Sequence, residues 1–189
     1  MINMEYIKFL KSKKILVLAL GVVILLVVII LKFGFTANGQ WQDYSSDLLG
    51  FSISHPAGWK VNEEVAGSGP DILVSEKNGF AFVRIRGLFD PYLSSTEAVQ
   101  ASITQYKKTL SLQEGVSLAD FRREEVSGGV GGFYASGEFV INDTAYRYEE
   151  RGRLSTQGRV LIMRAADAPA SFENSMSVMQ KIMNSFTLQ

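Results

Sequence analysis

The 189-residue chain contains no cysteine. Disulfides, thiolate metal sites, a cysteine nucleophile and lipid attachment at a cysteine are thereby excluded. Its one histidine, His55, leaves too few parts for a histidine-based zinc site or a histidine–carboxylate relay. Neither sign of charge is in excess. The 19 Lys and Arg balance 19 Asp and Glu, the isoelectric point is near 6.6, and a nucleic-acid partner is not expected. No acidic or proline-rich tract occurs, and 47% hydrophobic residues is too apolar for a disordered chain. Nothing in this composition calls for a cofactor.

The balanced total conceals a division. Residues 1–40 carry Lys8, Lys11, Lys13, Lys14 and Lys32 against Glu5, while the rest carries 14 bases against 18 acids. Within the basic part, Ile15 to Leu31 reads ILVLALGVVILLVVIIL, without one polar side chain. At about 1.5 Å per residue this helix would span roughly 26 Å of a hydrocarbon core about 30 Å thick. Lys32 can snorkel, letting Phe33 and Phe35 extend the run to the interface. A cleaved signal peptide is the competing reading, with small residues Ala37 and Gly39 before a cut. The apolar run exceeds the usual signal core of about 7–15 residues, so an uncleaved anchor is expected. A buried helix of a soluble domain fits poorly, because the segment is apolar all round. Lys8 to Lys14 precede the run, and the positive-inside rule places the N-terminus in the cytoplasm. The expected organisation is a basic cytoplasmic tail (1–14), a transmembrane anchor (15–35, flanked by Lys13, Lys14 and Lys32), a connector (36–40) and an extracytoplasmic domain (41–189). Its first partner is the lipid bilayer of the cell membrane, crossed once.

From residue 41 the pattern is strand-like. Trp41 to Ile53 reads as a hairpin, with Phe51-Ser52-Ile53-Ser54 alternating at period two. His55, Pro56, Gly58 and Trp59 read as a structural turn. A glycine-rich loop, Ala66 to Pro70, precedes Ile72-Leu73-Val74, and Asn78-Gly79 marks a second hairpin. After it, Ala81, Val83 and Ile85 share one face, and Phe80, Phe82, Arg84 and Arg86 the other. Ser94 with Glu97 predicts a capping box, followed by a helical stripe of Val99, Ile103, Tyr106 and Leu110 ending near Lys107 and Lys108. Strands are predicted over 118–126, 133–141, 145–154 and 160–165, joined by short connectors that allow only antiparallel neighbours. Pro169 predicts the start of a last helix with Phe172, Met176, Met179, Met183 and Phe186 on one face. The result is an α+β domain, an antiparallel sheet carrying about two helices.

No catalytic or metal constellation emerges. His55 is read as a strand-end residue beside a turn, and Trp59 as packing in the turn or core. The Ser127–Gly132 stretch leads into alternating Phe133–Phe139 rather than a helix, so it is a hairpin loop and not a phosphate cradle. Glu124-Glu125 and Glu149-Glu150 point to opposite faces as strand neighbours and are expected to be solvated. Arg84, Arg86, Arg147, Arg151, Arg153 and Arg164 are the candidate partner-binding residues. If clustered, they would suit an anion or an acidic partner.

Tyr44, Gly50-Phe51-Ser52-Ile53 and His55-Pro56-Ala57-Gly58-Trp59, with the ending Lys181-Ile182-Met183-Asn184-Ser185-Phe186, resemble the opening and closing signatures of PsbP-like domains. The resemblance spans roughly residues 41–188. It implies a PsbP-like α/β/α sandwich with a central antiparallel sheet, here preceded by one transmembrane helix. Members of that family are mostly non-catalytic, so no catalytic residue is carried over. The direct anchor and the missing lipid-attachment cysteine depart from the photosynthetic members and put a photosystem role in doubt. The expected function is a membrane-anchored, non-enzymatic domain that docks to or stabilises another envelope protein. The alternative is a carrier or sensor holding a small apolar ligand between helix and sheet; an enzyme is the third reading.

Overall fold

The computed structural model describes residues 40–46, 50–66 and 69–188. The expected anchor, with Lys13, Lys14, Ile15, Leu31 and Lys32, lies outside the described residues. Among the described residues no helix is long and apolar enough to cross a membrane. The chain divides between residues 40 and 41, and the architecture below is that of the unit Trp41–Gln189.

Strands β1 (Trp41–Ser46) and β2 (Phe51–Pro56) form the predicted hairpin, with Trp41 opposite Pro56 and Ser46 opposite Phe51. The turn after them is shorter than the punctuation predicts. His55 and Pro56 finish β2, only Ala57 and Gly58 turn, and Trp59 opens β3 (Trp59–Ala66). This turn joins two sheets rather than two paired strands, a distinction that turn residues do not encode.

The larger sheet adds β4 (Gly69–Glu76), β5 (Phe82–Phe89), β6 (Val116–Ser127), β7 (Val130–Ile141), β8 (Thr144–Ser155) and β9 (Arg159–Asp167). Its order is β3-β4-β5-β9-β8-β7-β6, antiparallel throughout. The smaller sheet is β1-β2-β10, its last member β10 (Thr187–Leu188) pairing with Phe51 and Ser52. The single expected sheet is therefore two.

Local chemistry accounts for the tight turns. The β6–β7 connection is only Gly128-Gly129, at φ 59° and 76°, and β7–β8 is Asn142-Asp143, at φ 49° and 61°. Two successive left-handed residues match the twist of a hairpin, and Gly, Asn and Asp tolerate that backbone best. The strands thus run closer to these turns than the expected Ser127–Gly132 and Asn142–Thr144 connectors allowed.

Helix α1 (Thr96–Leu112) starts one residue later than the capping pattern predicts. Ser95, not Ser94, is the cap, its Oγ accepting from the Ala98 amide at 3.2 Å. The helix also outruns Lys107 and Lys108 and has no base in its last turn. Helix α2 (Phe172–Ser185) begins three residues after Pro169, which sits in the preceding turn. Asp167 organises that turn, accepting from the Ala168 amide at 2.6 Å and the Ser175 hydroxyl at 2.7 Å.

Strand alternation builds two cores on opposite faces of the large sheet. Val83, Ile85 and Ala165 pack with Phe51, Ile53 and the α2 stripe Phe172, Met176, Met179, Ile182 and Met183. Their strand neighbours Phe82, Ile162 and Ala166 pack the other way, with Phe133, Phe139, Tyr148 and the α1 stripe Val99, Ile103 and Leu110. The three methionines are buried as gap-filling core. A large side chain such as Phe172, 1% exposed, contributes about 1.5–3 kcal/mol by burial. A helix on each face of an antiparallel sheet is the expected sandwich.

Candidate functional site

The alternation of strand faces divides the six arginines three and three. Arg84, Arg86 and Arg164 point to the α1 face, in step with Phe82, Ile162 and Ala166. Arg147, Arg151 and Arg153 belong to the other face of β8, opposite to Tyr148 and Leu154. No common cluster of the six exists. Arg147 instead pairs with Glu173 of α2 at 2.8 Å, and its guanidinium lies 4.9 Å from the Phe172 ring centroid.

On the α1 face the register places Arg84 opposite Arg164, and Arg164 opposite Glu150. Glu150 was expected to be solvated with Glu149, yet it is 1% exposed. It shares the parity of Tyr146, Tyr148 and Leu154, so burying that apolar face buries it too. Both carboxylate oxygens are taken. Oε1 accepts from the Tyr106 hydroxyl at 2.7 Å, and Oε2 from Arg164 Nε at 2.6 Å. Burial, then the Glu150 charge, pushes the Tyr106 hydroxyl far above its ordinary value. Burial by itself would lower Arg164, but Glu150 and Tyr106 outweigh it and hold the guanidinium charged. The Tyr148 hydroxyl is buried without a hydrogen-bond partner among the described residues.

Asp71 serves the outer arginines. It accepts from Arg84 Nε at 2.7 Å, from Arg84 Nη2 and from Arg86 Nε at 3.3 Å. The Arg84 bonds hold its carboxyl below the usual value despite burial. This row is a brace across four strands in which three guanidinium groups share two carboxylates, Arg84 and Arg86 on Asp71 and Arg164 on Glu150.

His55 is buried at the end of β2 with Nδ1 2.9 Å from the Pro56 carbonyl oxygen. That oxygen only accepts, so the ring proton sits on Nδ1 and the imidazole is tied to its own backbone. Pro56 and Gly58 shape the corner, and Trp59 packs partly buried against the α2 core. Among the described residues, no three His, Asp or Glu side chains gather as metal ligands.

The feature that sequence reasoning missed is the loop Phe89-Asp90-Pro91-Tyr92 between β5 and α1. Phe89 is 69% and Tyr92 84% exposed. The loop is nonetheless fixed. The Asp90 amide donates to the Gly158 carbonyl at 2.8 Å, the Tyr92 amide to Asp90 Oδ1 at 2.9 Å, and the Leu93 amide to the Asp90 carbonyl at 3.2 Å. Leu93 is buried and pins the far side. Gly158, at φ +79°, accepts the Phe89 ring over it; a Cβ there would lie 2.8 Å from that ring. The signal was present as aromatics flanking an Asp-Pro turn.

No family model and no curated protein sequence matches the chain. Solved structures do. Cyanobacterial PsbP (CyanoP) from Synechocystis sp. PCC 6803 is similar at a TM-score of 0.56 and 11% identity, over 80% of this chain and 94% of that one. A crystal structure from Bacteroides thetaiotaomicron VPI-5482 is similar at 0.50 and 13%, over 78% of this chain and 48% of that one. LpqN of Mycobacterium tuberculosis, described as involved in cell envelope biogenesis, follows at 0.45 and 15%, over 82% of this chain and 95% of that one. The class is an α+β sandwich on a central antiparallel sheet. More narrowly, the fold of this domain is PsbP-like.

Proposed function

We propose that this protein is a single-pass membrane protein whose extracytoplasmic domain is non-catalytic and docks another envelope protein through the Phe89–Tyr92 loop. The observation that carries the reading is the pair of exposed aromatics on a backbone already fixed by Asp90, Leu93 and Gly158. Aromatic side chains dominate protein-interface energetics, and a loop held in place before binding loses little entropy on contact. The apolar run Ile15–Leu31 with its basic flank supports the anchoring, and the PsbP-like fold supports a binding role. The ionisable groups of the arginine row are committed to one another, leaving contact rather than proton transfer as the work of this surface.

The test is photo-crosslinking in cells from a reactive residue at position 92 of the full chain. One defined envelope protein should be captured. Phe89→Ala with Tyr92→Ala should weaken its binding by about 2 kcal/mol or more, roughly thirtyfold. No crosslink from position 92, or binding unchanged by the double substitution, would end this reading.

A further inference from the structure

Strand register fixes which connections share an end of the large sheet. Trp59 stands opposite Glu76, Phe82 opposite Ala166, Arg147 opposite Asp167, and Ile141 opposite Thr144. The β4–β5 hairpin, the β7–β8 turn and the entry to β3 are therefore at one end. Val116, the first residue of β6, pairs with Phe139, which brings the α1–β6 connection there too. Residue 41 enters the domain at the same end, since Trp41 is opposite Pro56, next to the Ala57-Gly58 turn. The Lys77 amide donates to the Gly58 carbonyl at 3.3 Å and ties the hairpin to that corner.

Large apolar side chains are exposed around the connections at this entry end. Phe80 is 57%, Leu112 74%, Val140 54% and Ile141 50% exposed. Phe80 lies in the β4–β5 hairpin, Leu112 ends α1, and Val140 and Ile141 end β7; Phe80 is held edge-on to the Tyr146 ring at 6.4 Å. Both tryptophans of the chain, Trp41 and Trp59, open their strands here. Connections normally carry polar residues, whereas Trp and apolar side chains at one end suit a membrane interface. On the expected organisation only the five connector residues 36–40 precede Trp41, a tether of at most roughly 18 Å.

We propose that the entry end is a lipid-contacting surface, with Phe80, Leu112, Val140 and Ile141 resting in the headgroup–acyl boundary of the bilayer. This rests on the anchoring reading above. It leaves the Phe89–Tyr92 loop, on the opposite end of the sheet, pointing away from the lipid and free for a protein. The exposed charges at and beside the entry end, Glu76, Glu114, Glu138, Asp143 and Glu173 against Lys60, Lys77, Arg147 and Lys181, carry no basic excess, so the contact needs no anionic lipid.

The cysteine-free chain allows single labels without further change. Phe80→Cys and Tyr92→Cys in the full chain, each carrying an environment-sensitive fluorophore, are reconstituted into phosphatidylcholine vesicles with or without acyl-brominated phosphatidylcholine. The label at position 80 should emit to the blue and lose roughly half its intensity to the brominated lipid, as for side chains about 5–10 Å into the boundary. The label at position 92 should show neither effect. Adding Leu112→Ser, Val140→Thr and Ile141→Thr, at exposed positions, should restore the position-80 emission while the melting temperature holds. A chain that floats with the vesicles but shows no quenching at position 80 overturns the lipid contact and leaves the anchor standing. Quenching at position 92 instead overturns the orientation. A chain that fails to float overturns the anchor itself. A blue shift in native membranes but not in pure lipid assigns this end to a protein and also overturns the proposal.

Discussion

Arg84 and Arg164 stand directly opposite each other on β5 and β9, two like charges in register. Such a pair is repulsive, and Arg164 does disfavour the charge on Arg84. The arrangement holds because each guanidinium has its own carboxylate, Asp71 on the outside and Glu150 within. The brace therefore depends on both acids, and most on Glu150, the more deeply buried.

Glu150→Gln should destabilise the domain by about 3 kcal/mol, near the lower end for a broken buried pair because Arg164 keeps 23% side-chain exposure. Replacing both partners, Glu150→Leu with Arg164→Met, should recover part of the loss, since two apolar groups leave no buried charge unpaired while the Tyr106 hydroxyl loses its acceptor. Urea unfolding of the wild type and both variants checks this. A double variant no more stable than Glu150→Gln contradicts the pairing argument.

Alkali should unfold the protein through its tyrosines. Tyr106 and Tyr148 have folded values raised above the ordinary 10.0, mainly by burial. A raised folded value means the unfolded chain ionises first. Their contribution is complete below about pH 10 and falls as the pH rises beyond it. Unfolding free energies measured between about pH 8 and pH 11 should decline above pH 10, and less steeply in Tyr106→Phe. An equal slope in that variant would remove Tyr106 from the account.

Tyr148→Phe should leave stability unchanged or raise it by about 1 kcal/mol, because the lost hydroxyl is buried without a partner among the described residues. Calorimetry reads the change directly. A loss above about 1 kcal/mol would show that the hydroxyl is satisfied in solution.

The legible parts of the fold were those written in neighbouring residues. Asn142-Asp143 and Gly128-Gly129 announce hairpins, Val99 to Leu110 announces a helical face, and Ala81, Val83 and Ile85 announce a buried strand face. Capping was misplaced by one residue because Ser94 and Ser95 are both competent caps, and only the backbone chooses. The arginine row could not be read, since Arg84, Arg164 and Glu150 meet through the β5-β9-β8 order, which no local pattern encodes. Glu150 is different. It lies on the face of Tyr146 and Tyr148, and its burial was legible from parity, but the habit of solvating charge overrode the pattern. The Phe89–Tyr92 loop was missed because exposure of an aromatic is a tertiary property.

The central claim is a membrane-held domain displayed outside the cytoplasm. The most direct measurement is protease treatment of intact cells, or of spheroplasts where there is an outer membrane, followed by membrane isolation and carbonate washing. The account predicts that the untreated full chain stays with the washed membranes and that protease removes residues 41–189 from outside. A chain released by the wash, or a domain protected while the N-terminal tail is cut, would contradict it.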